Sequence, residues 1–178
     1  VGAYLDDVVL AGDDAGVLNA LRTLERMAPG IGLTLNLKKC ELIPTAGPSS
    51  LADMRAFPRA IKRKPDGNFA LLGAPIGDEG HVVNYLWQER LEPARERLEA
   101  LDSLGDAHRA YKILATCLGS CKMMYAMRTS RPDWAAEIFR EYDHLLKITL
   151  ERLTGKAFAP QAWAQAQLST SQGGAGLL

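Results

Sequence analysis

The sequence predicts an α+β chain: a small antiparallel sheet with packed helices, followed by an all-α bundle. Three observations predict it. Through about residue 76, β-prone apolar residues come in short runs separated by Asp-, Gly- and Pro-rich breaks, the pattern of short strands and tight turns. Near Gly77 to Gly80 the apolar spacing changes from about two to about 3.6 residues, the period of an amphipathic helix. Three long helical segments then follow with short connections, which suits an antiparallel bundle. The expected division is 1–79 and 80–178.

Each element has a local reason. Val1 to Leu5 and Val8 to Ala11 are short apolar or aromatic runs on either side of Asp6-Asp7, and they predict a tight hairpin with the carboxylates at its tip. Asp13-Asp14 caps a helix expected from about Ala15 to Ala28. There Val17, Leu21, Leu24 and Ala28 recur at helical spacing, and Pro29-Gly30 ends it. Leu33–Leu35 and Cys40–Ile43 are expected strands around the Asn36–Lys39 connection. Pro44 to Ser50 is a loop, and Ser50-Leu51-Ala52-Asp53 has capping-box spacing for a short helix. Ala60–Lys64 and Phe69–Leu72 flank Pro65-Asp66-Gly67-Asn68, a second hairpin signal. The helical segments are expected from about Val82 to Leu104, with Pro93 kinking or restarting the first; from near Asp106 to about Arg128; and from Pro132-Asp133 to Gly155. Their core stripes are Leu98, Leu101 and Leu104; Leu114, Leu118 and Cys121; and Ile138, Leu145 and Leu146.

Composition narrows the function classes. With 178 residues and 47% apolar side chains, the chain suits one domain or two small ones and is not a disordered segment. Lys and Arg number 21, as do Asp and Glu, so no net positive field draws in nucleic acid, and any such contact rests on local clusters. No run reaches the roughly 18 apolar residues of a membrane span, and no signal-peptide pattern opens the chain. Three cysteines without a Cys-x-x-Cys pair fit a reducing compartment. A soluble, intracellular setting (cytoplasm or nucleus) is the expectation. Because a strand begins almost at once, before Tyr4, the chain is expected to be a piece of a longer protein.

Several residues carry candidate chemistry. Asp6 and Asp7 are adjacent anions whose repulsion raises the pKa of one unless a cation offsets it, and a hard divalent ion such as Mg²⁺, taking oxygen ligands, is the natural partner. Asp-Asp is equally a good turn, because Asp tolerates a left-handed backbone. Arg59, Lys62, Arg63 and Lys64 form a dense basic cluster, suited either to phosphate contact or to guarding a strand edge. Cys117 and Cys121 lie one helical turn apart, but His81, His108 and His144 are scattered and complete no zinc pattern, so both thiols are expected in the core. Trp87, Trp134 and Trp163 are expected as anchors in or near the core.

The order of these stretches carries a resemblance. Tyr4-Leu5-Asp6-Asp7, followed by an apolar strand and Gly12-Asp13, resembles the active-site hairpin of reverse transcriptases. The run Gly32-Leu33-Thr34-Leu35-Asn36-Leu37-Lys38-Lys39-Cys40-Glu41 resembles the family's next block, and Leu72-Gly73 is similar to its primer-grip turn. Tyr125-Ala126-Met127-Arg128-Thr129 and Gly173-Gly174-Ala175-Gly176-Leu177 resemble blocks that follow the palm in non-LTR retroelement enzymes. The resemblance implies the carboxyl-terminal part of a palm in 1–79 and a helical thumb in 80–178. It implies an RNA-directed DNA polymerase that transfers nucleotides from dNTPs to a DNA primer on an RNA template, with Mg²⁺ (or Mn²⁺) on Asp6 and Asp7. It further implies Lys39 as a cation beside the triphosphate, where a solvated surface lysine is the alternative, and Leu72 and Gly73 at the primer end, where Gly73 equally suits a bulge. In the family a third carboxylate comes from a strand upstream of the hairpin. An intron-maturase-type enzyme and a non-catalytic nucleic-acid-binding remnant are the alternative functions.

Overall fold

The computed structural model describes residues 2–4, 7–44 and 55–177, and they form an α+β chain rich in helix with a few short strands. Two compact units divide it, Val1–Phe69 and Ala70–Leu178. Among the described residues no helix is long and apolar enough to cross a membrane.

In the first unit, β1 (Gly2–Tyr4) and β2 (Asp7–Val9) pair antiparallel with Tyr4 opposite Asp7. The hairpin therefore centres one position before the aspartate pair, and Asp7 opens a strand where a turn position was expected. Helix α1 (Asp14–Met27) starts where expected, with the Asp13 carboxylate accepting from the Gly16 amide at 2.7 Å. A single 3-10 turn over Ala28–Ile31 takes up Pro29, and the chain leaves it through Gly32 at φ +76°. The expected strand at Leu33–Leu35 does not form. Leu35, Leu37 and Cys40 instead pack inward against Leu21, Phe57 and Ile61, the small core of this unit.

The expected sheet is also different. β3 (Glu41–Leu42) and β4 (Lys62–Arg63) pair parallel, Glu41 beside Lys62. Pro65-Asp66-Gly67-Asn68 does turn, with Gly67 at φ +73° donating to the Lys64 carbonyl at 3.1 Å, but it joins no hairpin. The strand after it, β5 (Phe69–Leu71), pairs with β6 (Ala74–Ile76). Among the described residues, three separate two-stranded ladders thus replace one antiparallel sheet. The short helix expected at 50–53 lies outside the described residues.

The second unit is built on one long helix. α2 (Glu79–Leu86) is capped by Asp78, and α3 (Glu92–Ala100) follows it. Pro93 lacks an amide hydrogen and its ring crowds the carbonyl four residues back. The helix meets this with a π-type turn at Trp87–Leu91, in which the Glu92 amide reaches back to the Trp87 carbonyl. A 3-10 turn over Leu101–Leu104 and Gly105 at φ +63° end the segment, which leaves Leu104 exposed. α4 (Ala107–Cys117) is capped by Asp106, whose carboxylate accepts from His108 and Arg109 at 3.0 and 3.1 Å.

The second helical segment does not run on to Arg128. It stops at Leu118-Gly119, turns once at Ser120–Lys122 and resumes as the short α5 (Met124–Thr129). The break resets the helical phase, so Met123 and Ala126 take the core positions and Cys121, expected inside, is exposed. α6 (Pro132–Thr154) matches its expected bounds, with Pro132 in its first turn and Gly155 at φ +67° after its last. α2, α3, α4 and α5 all pack against α6, burying Leu86, Leu98, Leu114, Met123, Tyr142 and Leu146. α7 (Pro160–Gln167) and the glycine-rich tail complete the unit.

Candidate functional site

The acidic turn is the first candidate. Tyr4 and Asp7 close the pairing of β1 with β2; Leu5 and Asp6, between them, lie outside the described residues. Asp7 is exposed, so its carboxylate stands in solvent at the start of β2. Lys39 is exposed at the end of the Asn36–Lys39 turn, its amide donating to the Asn36 carbonyl at 3.0 Å. The Asn36 side chain brackets that turn, accepting from the Lys38 amide at 3.2 Å. Among the described residues no hydrogen bond or ion pair joins Asp7 to Lys39, and no three His, Cys, Asp or Glu side chains gather as a metal group. Burial, helped by Glu25, pushes the nearby Cys40 thiol above its ordinary value.

The basic cluster is partly committed to structure. Lys62 and Lys64 reach the same Glu41 carboxylate at 3.5 and 3.7 Å. Arg63 turns back into its own loop, Nη1 donating to the Ile61 carbonyl at 2.9 Å and Nη2 to that of Phe57 at 3.1 Å. Arg59 is exposed. These contacts hold β3 against β4 and close the Phe57–Ile61 turn.

The Leu72-Gly73 turn, in the second unit, is the most fully built of the candidates. Two consecutive residues with φ +50° and +77° join β5 to β6, the signature of a type I′ hairpin, so Gly73 serves a turn and not a bulge. Gly73 suits that backbone, whereas Leu72 carries a side chain in a conformation that costs of order 1 kcal/mol or more. Two side chains from distant helical segments hold the turn. Arg90 Nη2 donates to the Gly73 carbonyl at 2.7 Å, and the Tyr125 hydroxyl donates to the Leu72 carbonyl at 2.8 Å. Leu72 itself is 49% exposed. Arg90 and Tyr125 were not singled out from the sequence as its partners. The available signal was that Leu-Gly and Tyr-Ala-Met-Arg-Thr are both unusual local patterns, but nothing in either names the other.

The remaining candidates have structural roles. Cys117 and Cys121 are both exposed, with Cys121 Sγ 4.0 Å from the Thr116 carbonyl, and neither packs in the core. Trp87, expected as an anchor, is 41% exposed with the Arg95 guanidinium 5.9 Å from its ring centre; Trp134 is half-buried under Arg131 at 4.3 Å. The tail block Gly173–Leu177 clasps the bundle. Leu177 is buried and its carbonyl accepts from the Ser120 amide at 3.0 Å, while the Ala175 carbonyl accepts from the Tyr111 hydroxyl at 2.8 Å. Gly174 permits this fold-back, since a Cβ there would lie 2.0 Å from the Leu168 carbonyl oxygen. Between α4, α6, α7 and this tail lies an open, mostly apolar groove of about 710 Å³, lined by Tyr111, Leu153, Phe158 and Ala166 among others. No protein-family model matches the chain, and no curated protein or solved structure is significantly similar to it.

Proposed function

We propose that this chain carries the carboxyl-terminal part of the palm and the helical thumb of an RNA-directed DNA polymerase of non-LTR retroelement type. The observation that supports the reading best is the register of the first hairpin. Tyr4 and Asp7, the two ends of the Tyr-x-Asp-Asp sequence, are antiparallel partners, and Asp7 is exposed. The clamped Leu72-Gly73 hairpin supports it in second place.

The reaction forms a bond from the primer 3′-oxygen to the α-phosphorus of a dNTP and breaks the bond to the bridging oxygen, releasing pyrophosphate. Mg²⁺, or Mn²⁺ in its place, supplies when bound the positive charge that stabilises the attacking and leaving oxygens. The donor chemistry fits: Asp7 offers exposed carboxylate oxygens, the ligands a hard cation takes, and Asp6 is the second donor. Lys39 would place its ammonium beside the triphosphate or hand a proton to the departing pyrophosphate. Leu72 and Gly73 would set their backbone against the sugar-phosphate end of the primer, with the turn held still by Arg90 and Tyr125.

The test is Asp6→Asn in a polypeptide that contains this chain and the third carboxylate the resemblance implies. Asn tolerates the turn as well as Asp does and removes one of two repelling anions, so the melting temperature should hold or rise slightly. Primer extension on an RNA template should fall by several orders of magnitude, because metal positioning contributes several kcal/mol to the transition state. Incorporation near the wild-type rate, with an unchanged melting temperature, would leave the aspartates as a turn and overturn the proposal.

A further inference from the structure

The core stripe of α2 and α3 has one irregular step. Its buried residues are Val82, Leu86, Leu91, Ala94 and Leu98, spaced by four, five, three and four positions. Steps of three or four keep to one face of a helix, and a step of five does not. In a straight α-helix Arg90 would stand about 40° around the axis from Leu86, within the stripe, and Leu91 about 140° away on the far side. The step of five coincides with the π-type turn at Trp87–Leu91. That turn takes up one extra residue, which returns Leu91 to the core and leaves Arg90 half-buried at its edge. Pro93 opposes the straight alternative, because it has no amide hydrogen for the Glu89 carbonyl and its ring would crowd that group.

The displaced arginine has a specific use. Its Nη2 donates to the Gly73 carbonyl at 2.7 Å, and Gly73 leaves room for it, since a Cβ there would lie 2.9 Å from that nitrogen. In a two-residue hairpin the strand ladder does not use the carbonyls of the two central residues, so any protein donor to them comes from outside the strands. Among the described residues Leu72 is the one non-glycine with a left-handed backbone. It is also exposed, so burial of its side chain does not account for that conformation. Strained backbone persists where its surroundings over-determine it. Tyr125, the donor to Leu72, reaches it from a regular helix, whereas Arg90 does so from the irregular one.

We infer that Arg90 is a positioning residue for the Leu72-Gly73 turn, and that the π-turn, pinned by Pro93, is the device that seats it. A straight helix with Leu91 one position earlier would bury the same stripe, but it would present no arginine to the hairpin. Regularity of the helix is thus exchanged for order in the turn. That the turn meets a primer end rests on the polymerase reading; its seating by Arg90 does not.

Deletion of Arg90 combined with Pro93→Ala tests the exchange in the whole chain, because it makes the stripe regular and allows an unbroken helix. The melting temperature should hold or rise. Amides of Phe69–Leu71 and Ala74–Ile76 should nevertheless exchange with solvent about tenfold faster or more, with those of α6 unchanged. A residue that merely supported the fold would lower both. Arg90→Met, which keeps the chain length and removes the donors, should loosen the hairpin in the same way, and Arg90→Lys should restore most of the protection. These two variants decide the matter if the deletion does not fold. In a polypeptide that extends primers, Arg90→Met should raise the KM for primer–template several-fold and leave that for dNTP unchanged. A wild type that extends no primer sinks the polymerase reading alone, and the exchange measurements then decide. Unchanged hairpin exchange in Arg90→Met, a lower melting temperature in the deletion with the hairpin still protected, or an unchanged primer KM in an active enzyme whose hairpin has loosened would overturn the inference.

Discussion

Tyr142 and Asp143 are neighbours in α6 whose surroundings treat their charges alike. Tyr142 is buried, and burial pushes its phenol far above the ordinary range, so it stays a neutral donor, its hydroxyl pointing at the Leu118 and Gly119 carbonyls. Asp143 is half-buried, and burial raises its carboxyl above the ordinary 3.8. A raised value means that the folded chain holds this proton more tightly than the unfolded chain does. Between the ordinary value and the raised one the native state binds more protons, so stability from this group falls as pH rises through that window. Above it the chain carries a partly desolvated anion. Asp143→Asn should therefore raise the melting temperature at about pH 7 by roughly 1–3 °C, a modest effect because much of the group still meets solvent. The difference should vanish in acid, below the ordinary carboxyl value. Melts across that pH range check it, and a variant less stable at neutral pH would show that Asp143 is paired rather than strained.

At the scale of elements, the break between α4 and α5 shows what local sequence conveys and what it does not. Leu114 and Leu118 lie at helical spacing and both are buried, so periodicity alone carries the helix straight through. The helix ends because its freed groups find distant partners: the Ser120 amide donates to Leu177, and Tyr142 serves the Leu118 and Gly119 carbonyls. Gly119 also allows a close approach here, since a Cβ would come within 3.1 Å of the Leu177 carbonyl oxygen and the tail would have to shift by a few tenths of an ångström. The same limit explains the strands. The runs at β4 and β5 were legible, but which strand pairs with which is decided by segments far apart in the chain. Caps and stops were legible because their causes are local: Asp13 and Asp106 accept from amides two or three residues on, and Gly155 follows the last turn of α6. The Leu72-Gly73 turn was suggested only by the resemblance, with Leu72 otherwise expected at the end of a strand, and Arg90 and Tyr125, which hold it, were not legible. Tyr142→Phe tests the break directly. It keeps the ring and removes the donor to the buried Leu118 carbonyl, a loss of about 1–3 kcal/mol, while the Gly119 carbonyl still accepts from the Lys122 amide. Chemical denaturation should record it as a lower midpoint at unchanged slope, and an unchanged midpoint would mean that the break is held by the Leu177 contact alone.

At the scale of the molecule the two units differ in what they bury. Among the described residues the first unit's core has three buried apolar side chains, Leu21, Phe57 and Ile61, while the second has nineteen buried residues gathered around α6. Burying a large aliphatic side chain contributes about 1.5–3 kcal/mol, so most of the hydrophobic stabilisation lies in the helical unit. Its contacts are also largely between neighbouring helices, and the tail closes over them through Leu177. The first unit relies on two-stranded ladders, which are marginal in water without further packing. Local opening follows buried area and local contact density, so hydrogen exchange should divide the chain unequally. Amides from Ala107 to Leu153 should exchange slowly and together, with α6 slowest. Those of β1 and β2, from Gly2 to Val9, should exchange fast, apart from whatever protection a bound ligand gives. Leu114→Ala, which removes a fully buried side chain, should cost about 2–5 kcal/mol and speed exchange throughout the helical unit. It should do so without changing the fast exchange of β1 and β2, because that already reports a local opening of the first unit. Equal protection in the two units, or slower exchange in β1 and β2 than in α6, would mean that the small core is not the weaker one.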